Sequence, residues 1–303
     1  MEQAARLRVA LGLNLALVVA QVIGGLFTHS IGLVADAGHN LTDVAALGLA
    51  LLAVHLVERP SNERRSFGYH RSTILAAQAN AAALIVVTVI VGLEAIRRLV
   101  HPHSIHAGPV IAIAAGATVC NLIAARVLDD HSHDLNLRGA WLHMVADALS
   151  SAGVAVAAVV IVATGGHDWL DAAVSLVIAI VIAVRAVQLL GATTSVLLES
   201  TPSDVDPAAV STAIAAMPGV EAVHDLHVWS LSSEYRALSA HIVLDGQPSL
   251  ADAQQRSDAV KQMLADDFGI AHATLEPEAE VCGPGADEPC APSFWSGSHA
   301  HPT

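Results

Sequence analysis

Two histidine–aspartate pairs share one spacing. His39 and Asp43 stand four residues apart in VADAGHNLTD, and His143 and Asp147 stand four apart in WLHMVADALS. Four residues is close to one helical turn, so each pair can present an imidazole nitrogen and a carboxylate oxygen on one helix face. Together the pairs offer two nitrogen and two oxygen donors, a plausible tetrahedral set for Zn2+. Each pair could instead hydrogen-bond to itself or to a neighbouring helix as structural glue. Two such pairs in separate apolar segments weigh toward a shared metal ion. Asp36, one turn before His39, could orient that site or bond to backbone.

The setting of these residues sharpens the question. The chain of 303 residues is 54% hydrophobic and 14% charged, with a mean hydropathy of +0.56. Six nearly charge-free runs, about 9–27, 32–57, 72–96, 108–127, 139–164 and 169–197, are long enough to cross a bilayer. The first is too long for a signal-peptide core and reads as a retained helix. The His39 and His143 pairs fall in the second and fifth runs. A central Asp costs roughly 2.5–3.5 kcal/mol on the insertion scale, and a bound divalent cation offsets that cost directly.

The connecting loops are short, and their arginines set an orientation. Arg6, Arg8, Arg59, Arg64, Arg65, Arg71, Arg126 and Arg138 fall on one side of six spans, and Arg97 and Arg98 on the other. By the positive-inside rule, six spans place both termini in the cytoplasm of a multi-pass protein of the cell (inner or plasma) membrane.

The charge changes after the last run. From Glu199 onward there are 16 acidic residues against Arg236, Arg256 and Lys261, so nearly all of the net charge of −14 lies there. That balance argues against nucleic acid as a partner. Pro202, Asp204 and Pro207 mark a boundary, and Asp206 is a good N-cap for PAAVSTAIAAM. GVEAVHDLHVWSLS and EYRALSAHIVLD alternate as strands do. SLADAQQRSDAVKQMLADDFG has helical periodicity, with Ala253, Val260 and Leu264 able to share a face, and IAHATLEPE reads as a last strand. The order α-β-β-α-β predicts a small α+β layer. The fold class is therefore a six-helix polytopic membrane domain over 1–198, a small α+β domain over 199–280, and a Gly/Pro/Ser-rich tail over 281–303. Cys282 and Cys290 lie in that tail and Cys120 in the fourth run; a reducing cytoplasm makes a disulfide the weaker reading. His101, His103, His106, His131 and His133 read as loop chelators, and His299 and His301 as incidental.

Read together, HSIGLVADAGHNLTDVAAL, ERRSFGYHRSTILAA, EAIRRLVHP, LNLRGAWLHMVADALSSAGV, VHDLHVWSL and AHATLEPE resemble the cation diffusion facilitator, or cation-efflux, family. Within it the likeness is to the zinc and cobalt-zinc-cadmium resistance branch, and it covers about residues 10–280. The resemblance implies a homodimeric antiporter that exports a divalent metal in exchange for protons, with a metallochaperone-like cytosolic domain. Matched position by position, the family's intramembrane site falls on His39, Asp43, His143 and Asp147. His at the first of these resembles the zinc-selective members, and Cd2+ or Co2+ are further cargoes the branch implies. His70 matches a family histidine in a loop that holds a second metal site in some members, although Glu63 and Ser66 leave that site incomplete here. In the cytosolic domain His224 and His241 resemble metal ligands and Glu276 falls near an acidic ligand, while Gln254 and Thr274 replace histidines found in some members.

Two other classes compete. An intramembrane metalloenzyme needs an acid/base group beside its metal, as in H-E-x-x-H, and the chain has no such motif. A metal sensor anchored by a passive membrane domain would depend on His224 and His241 and not on the intramembrane residues.

Overall fold

The computed structural model describes the backbone of residues 2–128, 135–232 and 235–279. Side chains are described over 15–45, 48–49, 52–53, 55–126, 144–232 and 235–279. The described chain forms two compact units, one of residues 1–55 and 75–191 and one of residues 56–74 and 192–303.

The first unit is helical. Its helices are α1 (Glu2–Thr28), α2 (Ile31–Val57), α3 (Ser72–Val100), α4 (Ala107–Leu128), α5 (Leu135–Thr164) and α6 (Trp169–Leu197), with the outer turns of α2, α3 and α6 passing into the second unit. The shortest has 22 residues, about 33 Å at 1.5 Å per residue, enough for a hydrocarbon core of about 30 Å. Among the described residues, Ser72–Val100, Ala107–Arg126, Met144–Thr164 and Trp169–Leu197 are apolar enough to cross a membrane, and Leu15–Thr28 is a shorter apolar stretch.

Large apolar side chains point outward from these helices: Ile90, Leu93, Leu149, Val156 and Val177 are all more than half exposed. In water that would be a liability; against lipid tails it is the expected outer surface. The interior is built from small residues. Ala114 and Ala117 of α4 and Ala157 and Ala158 of α5 are buried, which lets helix backbones approach closely. Gly24 of α1 faces α4 closely, since a Cβ there would meet the tip of the Ile113 side chain. Leu33, Leu84, Val110, Val154 and Ile182 fill the space between the helices.

The second unit carries the C-terminal domain. Its order is α7 (Pro207–Ala215), β1 (Val220–Ser230), β2 (Arg236–Leu244), α8 (Leu250–Phe268) and β3 (His272–Glu278). The sheet runs β1-β2-β3, with β1 antiparallel to β2 and β3 parallel to β2 through the α8 crossover. Asp206 caps α7 by accepting from Ala208 N. Ser249 caps α8, and Gly269 ends it at φ 63°, the left-handed conformation glycine adopts without cost. Ala253, Val260 and Leu264 share the buried face of α8 as their spacing predicts, packed with Val210, Ile214, Leu238 and Ile242. The α2–α3 connection belongs to this unit: His70 stacks on Tyr235 at 4.5 Å between centroids, and Arg71 pairs with Glu199 at 2.6 Å. The tail over 281–303, with Cys282 and Cys290, and the loop holding His131 and His133 lie outside the described residues.

Candidate metal centre

α2 and α5 bring three of the four expected side chains together. His39 Nε2 lies 3.3 Å from Asp147 Oδ1, and His39 Nδ1 lies 3.6 Å from Asp43 Oδ2. One donor atom from each residue falls within 4.8 Å of the other two. Ligands of a tetrahedral Zn2+ at about 2.0 Å stand about 3.3 Å apart; one imidazole offers one nitrogen to an ion, so the group would have to contract from separations of up to 4.8 Å to hold one. Asp147 is the most enclosed, with its side chain 3% exposed. Two carboxylates so close in an apolar bundle would repel one another and are deprived of water, a strain that a cation between them would relieve. His143 stands one turn before Asp147 on α5; its side chain is outside the described residues.

The helix carrying His39 and Asp43 is anchored from another part of the chain. Asp171, near the start of α6, accepts from Ser30 Oγ at 2.6 Å, from Ile31 N at 2.8 Å and from Gly32 N at 3.3 Å. Its carboxylate therefore serves donors that the first turn of α2 leaves without helical partners, and its charge matches the positive end of the helix dipole. Sequence reading missed this role, because the two segments lie 140 residues apart. The one signal was an acid at the start of a run whose only other charged residue is Arg185.

A second cluster lies on the C-terminal sheet. His224 of β1 and His241 of β2 are register partners. One carboxylate serves both: Glu278 Oε2 lies 2.8 Å from His224 Nε2, and Glu278 Oε1 lies 2.8 Å from His241 Nδ1. These three form the only other group of this kind among the described residues. Glu276, the acid expected from the resemblance, stands further out than Glu278. Glu276 is the register partner of His241, but its side chain is 69% exposed and its oxygen 3.6 Å from His241 Nε2. Glu278, two residues on and so on the same sheet face, takes the bridging position. Period-two alternation could have found it. A β-bulge between His224 and His227, with Asp225 at φ 50°, swings Asp225 Oδ2 to 3.6 Å from His241 Nε2. His70, stacked on Tyr235, belongs to neither group, and neither do His101, His103, His106, His227 or His272.

Comparison with known proteins identifies the family. Residues 7–198 match the cation efflux transmembrane domain, and residues 202–280 match the cation efflux protein cytoplasmic domain. The chain belongs to the cation efflux, or cation diffusion facilitator, family. It is a divalent metal cation efflux transporter of the membrane and not an enzyme. It is 39% identical to the metal cation efflux system protein CzcD of Cupriavidus metallidurans, over 91% of this chain and 87% of that protein. It is 36% identical to the zinc transporter ZitB of Escherichia coli, over 92% and 88%. It is 34% identical to a cadmium, cobalt and zinc/H(+)-K(+) antiporter of Bacillus subtilis, over 87% and 85%. The solved metal-bound C-terminal domain of the Cupriavidus CzcD transporter is 42% identical, with a TM-score of 0.23 over 24% of this chain and 99% of that chain.

Proposed function

We propose that this chain exports Zn2+ from the cytoplasm in exchange for protons, with Cd2+ and Co2+ as further cargoes. The transport ligands are His39, Asp43, His143 and Asp147. The observation that carries the reading is the convergence of His39, Asp43 and Asp147 from two apolar helices onto one point. The helix register supports the fourth ligand. Asp36 meets Ser150 and His39 meets Asp147, an antiparallel pattern that, carried one turn further, brings position 143 level with Asp43. Relatives whose names include zinc, cadmium and cobalt support the choice of cargo.

In this reading α1 to α6 all span the membrane and both termini are cytoplasmic. Residues 1–198 form the transport domain, 199–280 the cytosolic domain and 281–303 the tail. The match to the family's cytoplasmic domain supports a homodimer. His224, His241 and Glu278 form a second, cytosolic metal site, with Glu276 at its rim, and His70 is an aromatic contact rather than a ligand. Zn2+ needs neutral imidazole, so binding from the cytoplasm displaces protons from His39 and His143, and their return from the acidic outer side releases the ion. Rocking of helices around a midplane site would switch its access.

The test is Zn2+ flux into proteoliposomes with an imposed pH gradient. Flux should follow the gradient and be lost in Asp43→Ala and Asp147→Ala. Flux indifferent to the gradient, or intact in either variant, would refute the scheme.

A further inference from the structure

Asp36 lies three residues before His39 on α2, about 4.5 Å along the axis at 1.5 Å per residue, and is not in the group of three. It is 1% exposed, and both of its oxygens are occupied. Gln21 Nε2 of α1 donates to Oδ2 at 2.5 Å, and Ser151 Oγ of α5 donates to the same oxygen at 2.5 Å. Ser150 Oγ of α5 donates to Oδ1 at 2.9 Å. Gln21 Oε1 in turn accepts from Asn40 Nδ2 at 3.0 Å, so the polar chain returns to α2 beside His39. Gln21, Asn40 and Ser151 are all buried.

Such a chain is expensive to bury unless its members are paired. Pairing gives it geometric force: apolar contacts between alanine-rich helices tolerate sliding, whereas a carboxylate with three donors does not. Two of those donors come from α5, one turn beyond Asp147. The same two helices are thus joined at Asp36 and again at the candidate metal centre. With three donors already on its oxygens, Asp36 has little capacity left for an ion.

We infer that Asp36 is a positioning residue for the transport site: through Ser150, Ser151 and Gln21 it fixes the spacing of α2 against α5, and so the separation of His39 and Asp43 from Asp147. A fixed spacing favours ions of one size. The consequence is discrimination between Zn2+ and the larger Cd2+, and not merely retention of metal. The inference rests on the transport-site reading above, and its test keeps the two apart.

The experiment is equilibrium binding of Zn2+ and of Cd2+, measured separately on full-length protein in detergent, with Asp147→Ala as the reference lacking the site. Asp36→Asn and the double variant Ser150→Ala/Ser151→Ala should keep the metal equivalent that Asp147→Ala loses. Their Zn2+ to Cd2+ affinity ratio should shift by roughly tenfold or more, the usual effect of removing groups that orient ligands. Ser150→Thr, which keeps the hydroxyl, should retain the wild-type ratio. The ratio is insensitive to the fraction of folded protein, so a merely structural role would not move it. If Asp36→Asn does not fold, the serine variant carries the test, because it leaves the carboxylate in place. An unchanged ratio in the serine variant overturns the inference, as does loss of the metal equivalent in Asp36→Asn, which would make Asp36 a ligand. If Asp147→Ala itself retains full metal, the transport-site reading fails, whatever Asp36 does.

Discussion

His39 is the softest donor among the three side chains that meet between α2 and α5, and it touches both carboxylates. Replacing its nitrogen by oxygen should change which ion fits, because carboxylate donors suit harder cations such as Mn2+. His39→Asp is therefore expected to raise the ratio of Mn2+ to Zn2+ transport by about tenfold, a change of the size seen when ligand environments are altered; competition flux in proteoliposomes measures it. On the C-terminal sheet the two glutamates should separate cleanly. Glu278→Gln removes the carboxylate that bridges both imidazoles and should weaken metal binding to that cluster roughly tenfold or more. Glu276→Gln alters an exposed oxygen 3.6 Å from His241 and should cost less than about fivefold, the reach of a surface ion pair worth up to ~1 kcal/mol. Calorimetric titration of the full chain carrying Asp147→Ala, so that the intramembrane equivalent is absent, reads both. Equal losses from the two substitutions would contradict the assignment of Glu278.

At the level of helices, the junction of α2 with α6 is as tightly specified as the metal centre. Asp171→Ala would leave Ser30, Ile31 N and Gly32 N without their acceptor, at a cost of about 1–3 kcal/mol for groups buried from water. Gly32→Ala should be similarly harmful, because its Cβ would lie 2.8 Å from Asp171 Oδ1 and 3.1 Å from Val154 Cγ1, and overpacking of this kind costs about 1–3 kcal/mol. Gly116→Ala is the control, since nothing stands within 4 Å of its added methyl. Thermal unfolding in detergent should show lower midpoints for the first two and none for the third. The same junction marks where the sequence stops being legible. Run length and charge-free stretches locate α2, α4 and α6 to within one residue, whereas α3 ends four residues later, at Val100, and α5 starts four residues earlier, at Leu135. The N-cap Asp206 and the buried face of α8 follow from local spacing. A cap supplied from another helix has no local signature. That Glu278 lies nearer the two imidazoles than Glu276 has another cause: position opposite His241 in the register does not fix side-chain reach, and Glu278 meets histidines of two strands. His39, Asp43 and Asp147 were legible because polar residues in apolar runs have few uses; the assignment of Asp36 to orientation required its hydrogen-bond partners.

For the whole molecule, the question is whether the intramembrane group and the cluster on the C-terminal sheet serve one activity or two. A carrier needs the intramembrane group for every turnover, whereas a sensor needs only the sheet cluster. Asp43→Ala and Asp147→Ala should therefore abolish Zn2+ flux while leaving Zn2+ binding at His224, His241 and Glu278 intact. His224→Ala with His241→Ala should remove that binding and leave flux measurable. Proton linkage gives the carrier a second signature. Metal binds imidazole only in its neutral form, so acidification must weaken binding, and the slope of log affinity against pH equals the number of protons displaced. The intramembrane equivalent should therefore lose affinity as pH falls from 8 to 6. The direction follows from charge alone: lowering pH adds protons to the form that cannot ligate, and raising it removes them. Under the proposed exchange the same sign would operate across the membrane, with the more acidic face as the releasing face. Binding titrations at stepped pH on the His224→Ala/His241→Ala protein isolate this linkage from the sheet. A flat profile there, alongside flux that still responds to a pH gradient, would mean that protons cross by a route separate from the metal ligands.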